Sequence, residues 1–244
     1  KESTGLVTRF TTTPPQGLTP DFPIRLRLLS EMDVVRVLAN TYYADCEHKQ
    51  MPEAEAMRSA LERLTQTARQ SSPGASSVTA DDVEDLREYL NRNFLSKPRV
   101  QMLQQGYWTQ AVSLAPLLPL SYRAELFGII WNNQPKFQQL FLELCQALEA
   151  LGNPAEADCP LEALLPRQTS IIDVALLAGL GTGSAEDRLT LLGKDGRKAA
   201  LPRAVVTALT AEITIFMREQ PDDFFSYTDL LDFPGYRSRL KILD

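Results

Sequence analysis

At 244 residues the chain is long enough to bury a full core, and 44% hydrophobic with 23% charged residues excludes a disordered or fibrous protein. A formal charge of -6 excludes a broad nucleic-acid surface, which needs clustered Lys and Arg. No run reaches the roughly eighteen apolar residues of a membrane span, and Cys46, Cys145 and Cys159 make no CxxC pair, so they read as reduced thiols.

Residues 1–21 are rich in Thr, Pro and Gly, lack helical period and read as a loop. From Phe22 the chain alternates Ile24, Leu26 and Leu28 with Arg25 and Arg27, the signature of a strand with one buried face. After Ser30 the period becomes helical. Glu31–Cys46 carries Val34, Val35, Leu38 and Tyr42 along one side. Pro52 opens a second helix with Met57, Leu61, Leu64 and Ala68 on its apolar face. A Ser-, Pro- and Gly-containing break covers 71–77, and Thr79 with Asp82 then forms a capping box for a helix burying Val83, Leu86, Leu90 and Phe94. A helix follows from about Val100, interrupted near Pro116 and Pro119, with two more over Ser121–Trp131 and Gln134–Leu151. Gly152 is the expected C-cap. Tyr107-Trp108, after Gly106, reads as core filling, the alternative being an exposed anchor.

Ile171–Gly183 ends Gly-Leu-Gly-Thr-Gly, which fails the spacing of both common phosphate-loop motifs and reads as a helix end and turn. Gly193-Lys-Asp-Gly196 is a hairpin turn between Leu189–Leu192 and Lys198–Leu201. Beyond Pro202 a short helix, Arg203–Leu209, leads to a strand at Glu212–Met217 and a polar loop over 218–223. A last apolar run then ends at Asp232 and is expected to pair antiparallel with the preceding strand. His48 beside Asp45, Cys46 and Glu47 lacks the second imidazole that most transition-metal sites use.

Two short motifs carry chemistry. A strand ending in Asp232 before a Pro-Gly turn places a carboxylate at a sheet rim, where it can hold the water shell of Mg²⁺. Gly235, three residues on, has no Cβ to block a phosphate. At the other end, Gly5-Leu-Val-Thr-Arg9 places Thr8 in a Gly- and Thr-rich segment, as a switch loop that gives a hydroxyl to Mg²⁺ and the γ-phosphate does.

This pair, Gly-x-x-Thr-Arg and Asp-x-Pro-Gly, resembles the second and third guanine-nucleotide motifs of dynamin-like large GTPases. The wording of both ends is closest to the SrfC-type bacterial virulence factors, a similarity that runs through the whole chain. The resemblance implies an α/β fold, mostly α, in which a partial GTPase-like sheet of about three to five strands carries a large helical insertion. The expected organisation is a switch-like loop and first strand over 1–30, a helical subdomain over 31–187, and a return to the sheet over 188–244. It implies Mg²⁺ and GTP as ligands of the intact protein. Thr8 is then the catalytic switch residue and a metal ligand, Asp232 a second metal ligand acting through water, and Gly235 a nucleotide contact. Arg9, Arg237 and Arg239 are candidates for charge stabilisation, with pairing to nearby carboxylates the simpler reading.

No phosphate loop is present, and the chain opens on Lys1 rather than Met, so it reads as an excised piece that should not turn nucleotide over alone. The implied partners are nucleotide and other proteins of the same virulence system. The implied location is the bacterial cytoplasm, with export as an effector left open. The alternative is a non-enzymatic virulence-associated scaffold whose helices bind a protein partner and whose GTPase elements are relics.

Overall fold

The computed structural model describes residues 6–46, 54–70, 77–165, 170–181 and 187–233. The fold is mixed α/β and rich in helix, as the sequence indicates, and divides into two compact units. One is built on a sheet from Lys1–Ser30 and Ala147–Ile242; the other is helical and comprises Glu31–Gln146.

The sheet unit contains β1 (Val7–Thr11), β2 (Ile24–Leu28), β3 (Glu156–Cys159), β4 (Arg188–Gly193), β5 (Lys198–Pro202), β6 (Thr210–Phe216) and β7 (Leu230–Asp232). They form one sheet in the order β5-β4-β3-β2-β6-β1-β7, in which β1 and β6 run parallel and every other neighbouring pair is antiparallel. The period-two pattern of β2 fixes the two faces. Ile24, Leu26 and Leu28 are buried, and their cross-strand neighbours Cys159 and Ala157 on β3 and Ile213 on β6 extend the apolar side. The opposite face is charged and internally neutralised. Arg25 donates from Nε and Nη2 to the two carboxylate oxygens of Asp158, at 2.8 and 3.1 Å, and Lys194 pairs with Glu156 at 2.7 Å.

Three features of this sheet depart from the sequence reading. Residues 7–11, expected in a loop, are a strand: Val, Thr and Phe suit a pleated surface, and two partners are available to pair with them. Strands β6 and β7, expected as neighbours, are separated by β1, which hydrogen-bonds to both. Residues 156–159 lie inside the stretch assigned to helices, yet pair with β2 and β4, so the sheet reaches seven strands and the helical unit ends at 146. β3 alternates polar Glu156 and Asp158 with apolar Ala157 and Cys159, but over only four residues between two helical stretches. Its Asp158 is recruited by Arg25 on the next strand.

The chain between β5 and β6 is a short helix, Arg203–Leu209, burying Val205, Val206 and Leu209. The expected hairpin is present, with Gly196 at φ +82° and the Gly193 N–H donating to the Arg197 carbonyl at 2.8 Å.

In the helical unit, α1 (Glu31–Asp45), α2 (Ala54–Gln70) and α3 (Ala80–Phe94) follow the predicted faces, with Leu61, Leu64, Leu86 and Leu90 fully buried. Thr79 and Asp82 make the reciprocal capping box at α3. The helix expected from Val100 is two helices, α4 (Pro98–Leu103) and α5 (Tyr107–Leu114), because Gly106 at φ +110° breaks the run. Tyr107 and Trp108 are buried and meet edge to face, which makes them core. After α6 (Leu120–Gly128) comes α7 (Pro135–Leu151). It ends in a Schellman motif, with Gly152 N–H on Glu149 O at 2.9 Å and Asn153 N–H on Leu148 O at 2.8 Å.

Two buried polar arrangements hold this unit. Carbonyls at the end of α6 and the following turn accept from side chains: Tyr107 Oη donates to Leu126 O, Arg99 to Ile129 O, and Tyr43 Oη to Ile130 O. The Arg99 guanidinium also donates to Asn132 Oδ1 at 2.9 Å, and burial pulls its pKa down. Second, the Arg123 Nε and Nη2 donate to the two oxygens of Glu31 at 2.7 and 2.8 Å, while Ser77 Oγ donates to Glu31 at 2.9 Å. Both charged side chains are almost wholly buried. Removing one partner leaves an uncompensated buried charge, so Arg123→Met should lower the denaturant-measured unfolding free energy by about 3–5 kcal/mol. The double variant Glu31→Gln/Arg123→Met should lose less than Arg123→Met alone, and an additive loss would show that the pair is not coupled.

Candidate functional site

The candidate residues from the two ends of the chain meet at one edge of the sheet. Strand β1 lies between β6 and β7, and its alternation sends Thr8 and Phe10 to one face and Arg9 and Thr11 to the other. In the register, Thr8 faces Ile213 on the inner side and Asp232 on the outer side. Directly opposed residues of an antiparallel pair lie on the same face with Cβ atoms about 4.5–5.5 Å apart, so Thr8 and Asp232 are neighbours.

Their exposures differ. Thr8 is 3% exposed and held within the strand, whereas Asp232 is exposed at the end of the edge strand. An exposed carboxylate fits a role facing a hydrated cation. Thr8, on a strand flanked by β6 and β7, offers little surface to a ligand. Among the described residues no group of three or more His, Cys, Asp or Glu side chains is arranged to hold a metal ion. Gly235, Arg237, Arg239 and His48 lie outside the described residues, as does the end of the Gly-Leu-Gly-Thr-Gly segment.

On the other face a polar cluster forms around Arg9. Its Nε donates to Glu212 Oε1 at 2.7 Å and its Nη1 to Asp229 Oδ2 at 3.0 Å, so the guanidinium is engaged by two carboxylates. A hydrogen bond from Thr11 is the main cause that holds the Asp229 carboxyl below its ordinary range; desolvation opposes it and the Arg9 guanidinium assists. Thr12 Oγ1 donates to Phe225 O at 2.9 Å and the Met217 N–H to Thr11 O at 2.9 Å, fastening the turn before β7 and the end of β6 to β1.

Sequence reasoning found Thr8, Arg9 and Asp232 but missed Thr11, Glu212 and Asp229. The available signal was the Val-Thr-Arg-Phe-Thr composition of a strand, which puts Arg9 and Thr11 on one face and gives Arg9 a need for acidic neighbours.

Because the Asp229 pKa is depressed in the folded protein, the stability it contributes is present above its unfolded value and disappears as pH falls through the folded value. A carboxyl-carbon NMR titration should place the Asp229 midpoint below those of unpaired surface aspartates. Thr11→Val should raise it, and an unchanged midpoint in that variant would remove the threonine from the account.

No curated protein and no solved structure matches the chain. A family model does match, over residues 1–244, and the chain belongs to the family it describes, "Putative bacterial virulence factor".

Proposed function

We propose that this chain is an internal part of a virulence-associated, dynamin-like nucleoside triphosphatase. On this reading the sheet edge formed by β1 and β7 senses the nucleotide, and the helical unit couples that state to a partner or to a conformational change. The observation that supports it is the pairing of Thr8 with Asp232, which brings two motif residues from opposite ends of the chain into one register position. In the intact protein Asp232 would be the carboxylate toward a hydrated Mg²⁺ of GTP, and Gly235 would allow a backbone contact to phosphate. The ion would neutralise charge on the transferring phosphoryl group. Thr8 would either pack the strand beside Asp232 or supply its hydroxyl to the ion.

The assignments separate by mutation in the intact protein. Asp232→Ala should lower Mg²⁺-dependent GTP hydrolysis about tenfold or more with the fold retained, since an exposed edge residue carries little packing. Thr8→Val keeps the buried shape and removes the hydroxyl. Preserved hydrolysis in Thr8→Val assigns Thr8 to packing, and a loss matching that of Asp232→Ala assigns it to the ion. Unchanged hydrolysis in Asp232→Ala would sink the reading.

A second reading, a non-enzymatic scaffold with relic motifs, is favoured by the burial of Thr8 and the double engagement of Arg9. Failure of folded intact protein to bind a fluorescent guanine or adenine nucleotide with Mg²⁺ would select it.

A further inference from the structure

The two edges of the sheet are built differently. Strand β5 begins with Lys198, whose ammonium lies 5.2 Å from the centre of the Phe22 ring, and ends with Pro202, which has no N–H to offer. Lysine and proline are the residues by which natural edges resist pairing. Strand β7 has neither. All three of its residues are exposed, and alternate residues of an outer strand turn both N–H and C=O away from the sheet.

Among the described residues no strand pairs with the outer side of β7, and this edge is apolar. Phe224, Tyr227, Leu230, Leu231 and Phe233 account for five of the eleven exposed large hydrophobics among the described residues, with Tyr227 93% and Phe233 64% exposed. Leu230 and Leu231 sit on opposite faces of β7, so an added strand would find an apolar neighbour on either side. Concentration of this kind marks an interaction site rather than scattered surface hydrophobics.

Charge selects the occupant. From Glu219 to Asp232 the sequence contains Glu219, Asp222, Asp223, Asp229 and Asp232, with no Lys or Arg between them. Arg9 engages Asp229, and Asp222 accepts from the Phe224 N–H. Asp223 and Asp232 have no ion pair among the described residues. A second copy of the chain is disfavoured, because antiparallel pairing of two β7 strands about Leu231 sets the two Asp232 carboxylates diagonally across the ladder, where like charges repel.

We propose that β7 is a docking strand for an extended segment of a protein partner in which basic and apolar residues alternate. The segment adds to the sheet through backbone hydrogen bonds, its apolar side chains pack on Leu230 or Leu231, and its cations face Asp223 and Asp232. This docking needs no nucleotide.

The test uses the whole chain without nucleotide or Mg²⁺, so its result is independent of the hydrolysis experiment. Fluorescence anisotropy compares a labelled octapeptide of alternating Lys and Val with a Glu/Val octapeptide, and with a Lys/Val octapeptide N-methylated at alternate residues. The Lys/Val peptide should bind, with affinity falling about tenfold from low to high salt, while the acidic and N-methylated peptides bind at least about tenfold more weakly. Asp223→Lys and Leu230→Lys, both at exposed positions, should each weaken binding about tenfold without shifting the melting temperature. Absence of binding, equal binding of the N-methylated peptide, or equal binding of the acidic peptide would overturn the proposal. So would a dimer seen by light scattering that Leu230→Lys dissociates, which would give the edge to a second copy.

Discussion

The sheet unit depends on β1 being held on both sides by strands from the far end of the chain. Its parallel pairing with β6 and antiparallel pairing with β7 make it the strand that joins them within the sheet. The ion pair between Arg9 and Glu212 and the bond from Thr12 to the Phe225 carbonyl reinforce that grip. Pairings of such large sequence separation close long loops, yet the cost of loop closure grows only slowly with length. The strand is therefore secured at modest entropic expense, and it alone sets Thr8 opposite Asp232.

The helical unit reaches the same end by a different physics. Its apolar faces supply the burial, while polar side chains satisfy the backbone where helices stop. Arg99, Tyr43 and Tyr107 converge on carbonyls at the end of α6, and Arg123 fastens Glu31, the first residue of α1. Unlike apolar contacts, these groups accept few alternative arrangements, because a misplaced partner leaves a buried donor or acceptor unpaired. The aromatic residues around them, Tyr42, Phe94, Trp131 and Phe137, pack edge to face or tilted and fix the spacing of the helices that carry them.

Elements governed by local rules were legible in the sequence. Leucines at helical spacing, the Thr79–Asp82 box, the Gly152 cap and the Gly193–Gly196 hairpin each follow from residues close together in the chain. Strands β1 and β3 were not legible, because what makes them strands is a partner elsewhere: β6 and β7 for the first, β2 and β4 for the second. A strand reading Glu-Ala-Asp-Cys does alternate, but four residues are too few to separate that period from the helical pattern around them. The same asymmetry holds at the candidate site. Thr8 and Asp232 stand out by motif, whereas Glu212 and Asp229 matter only because β1 carries Arg9 between the strands that hold them.

The order in which this sheet is threaded has a consequence for biosynthesis. At about 5–20 residues per second, a ribosome needs roughly 10–40 s after releasing β1 to deliver the strand that pairs with it. Throughout that interval the Val7–Thr11 segment has backbone N–H and C=O groups but no native mate to receive them. The emerging polypeptide therefore passes through a stage at which a holdase chaperone, or a partner already present, has first access to the surface that the finished protein closes last.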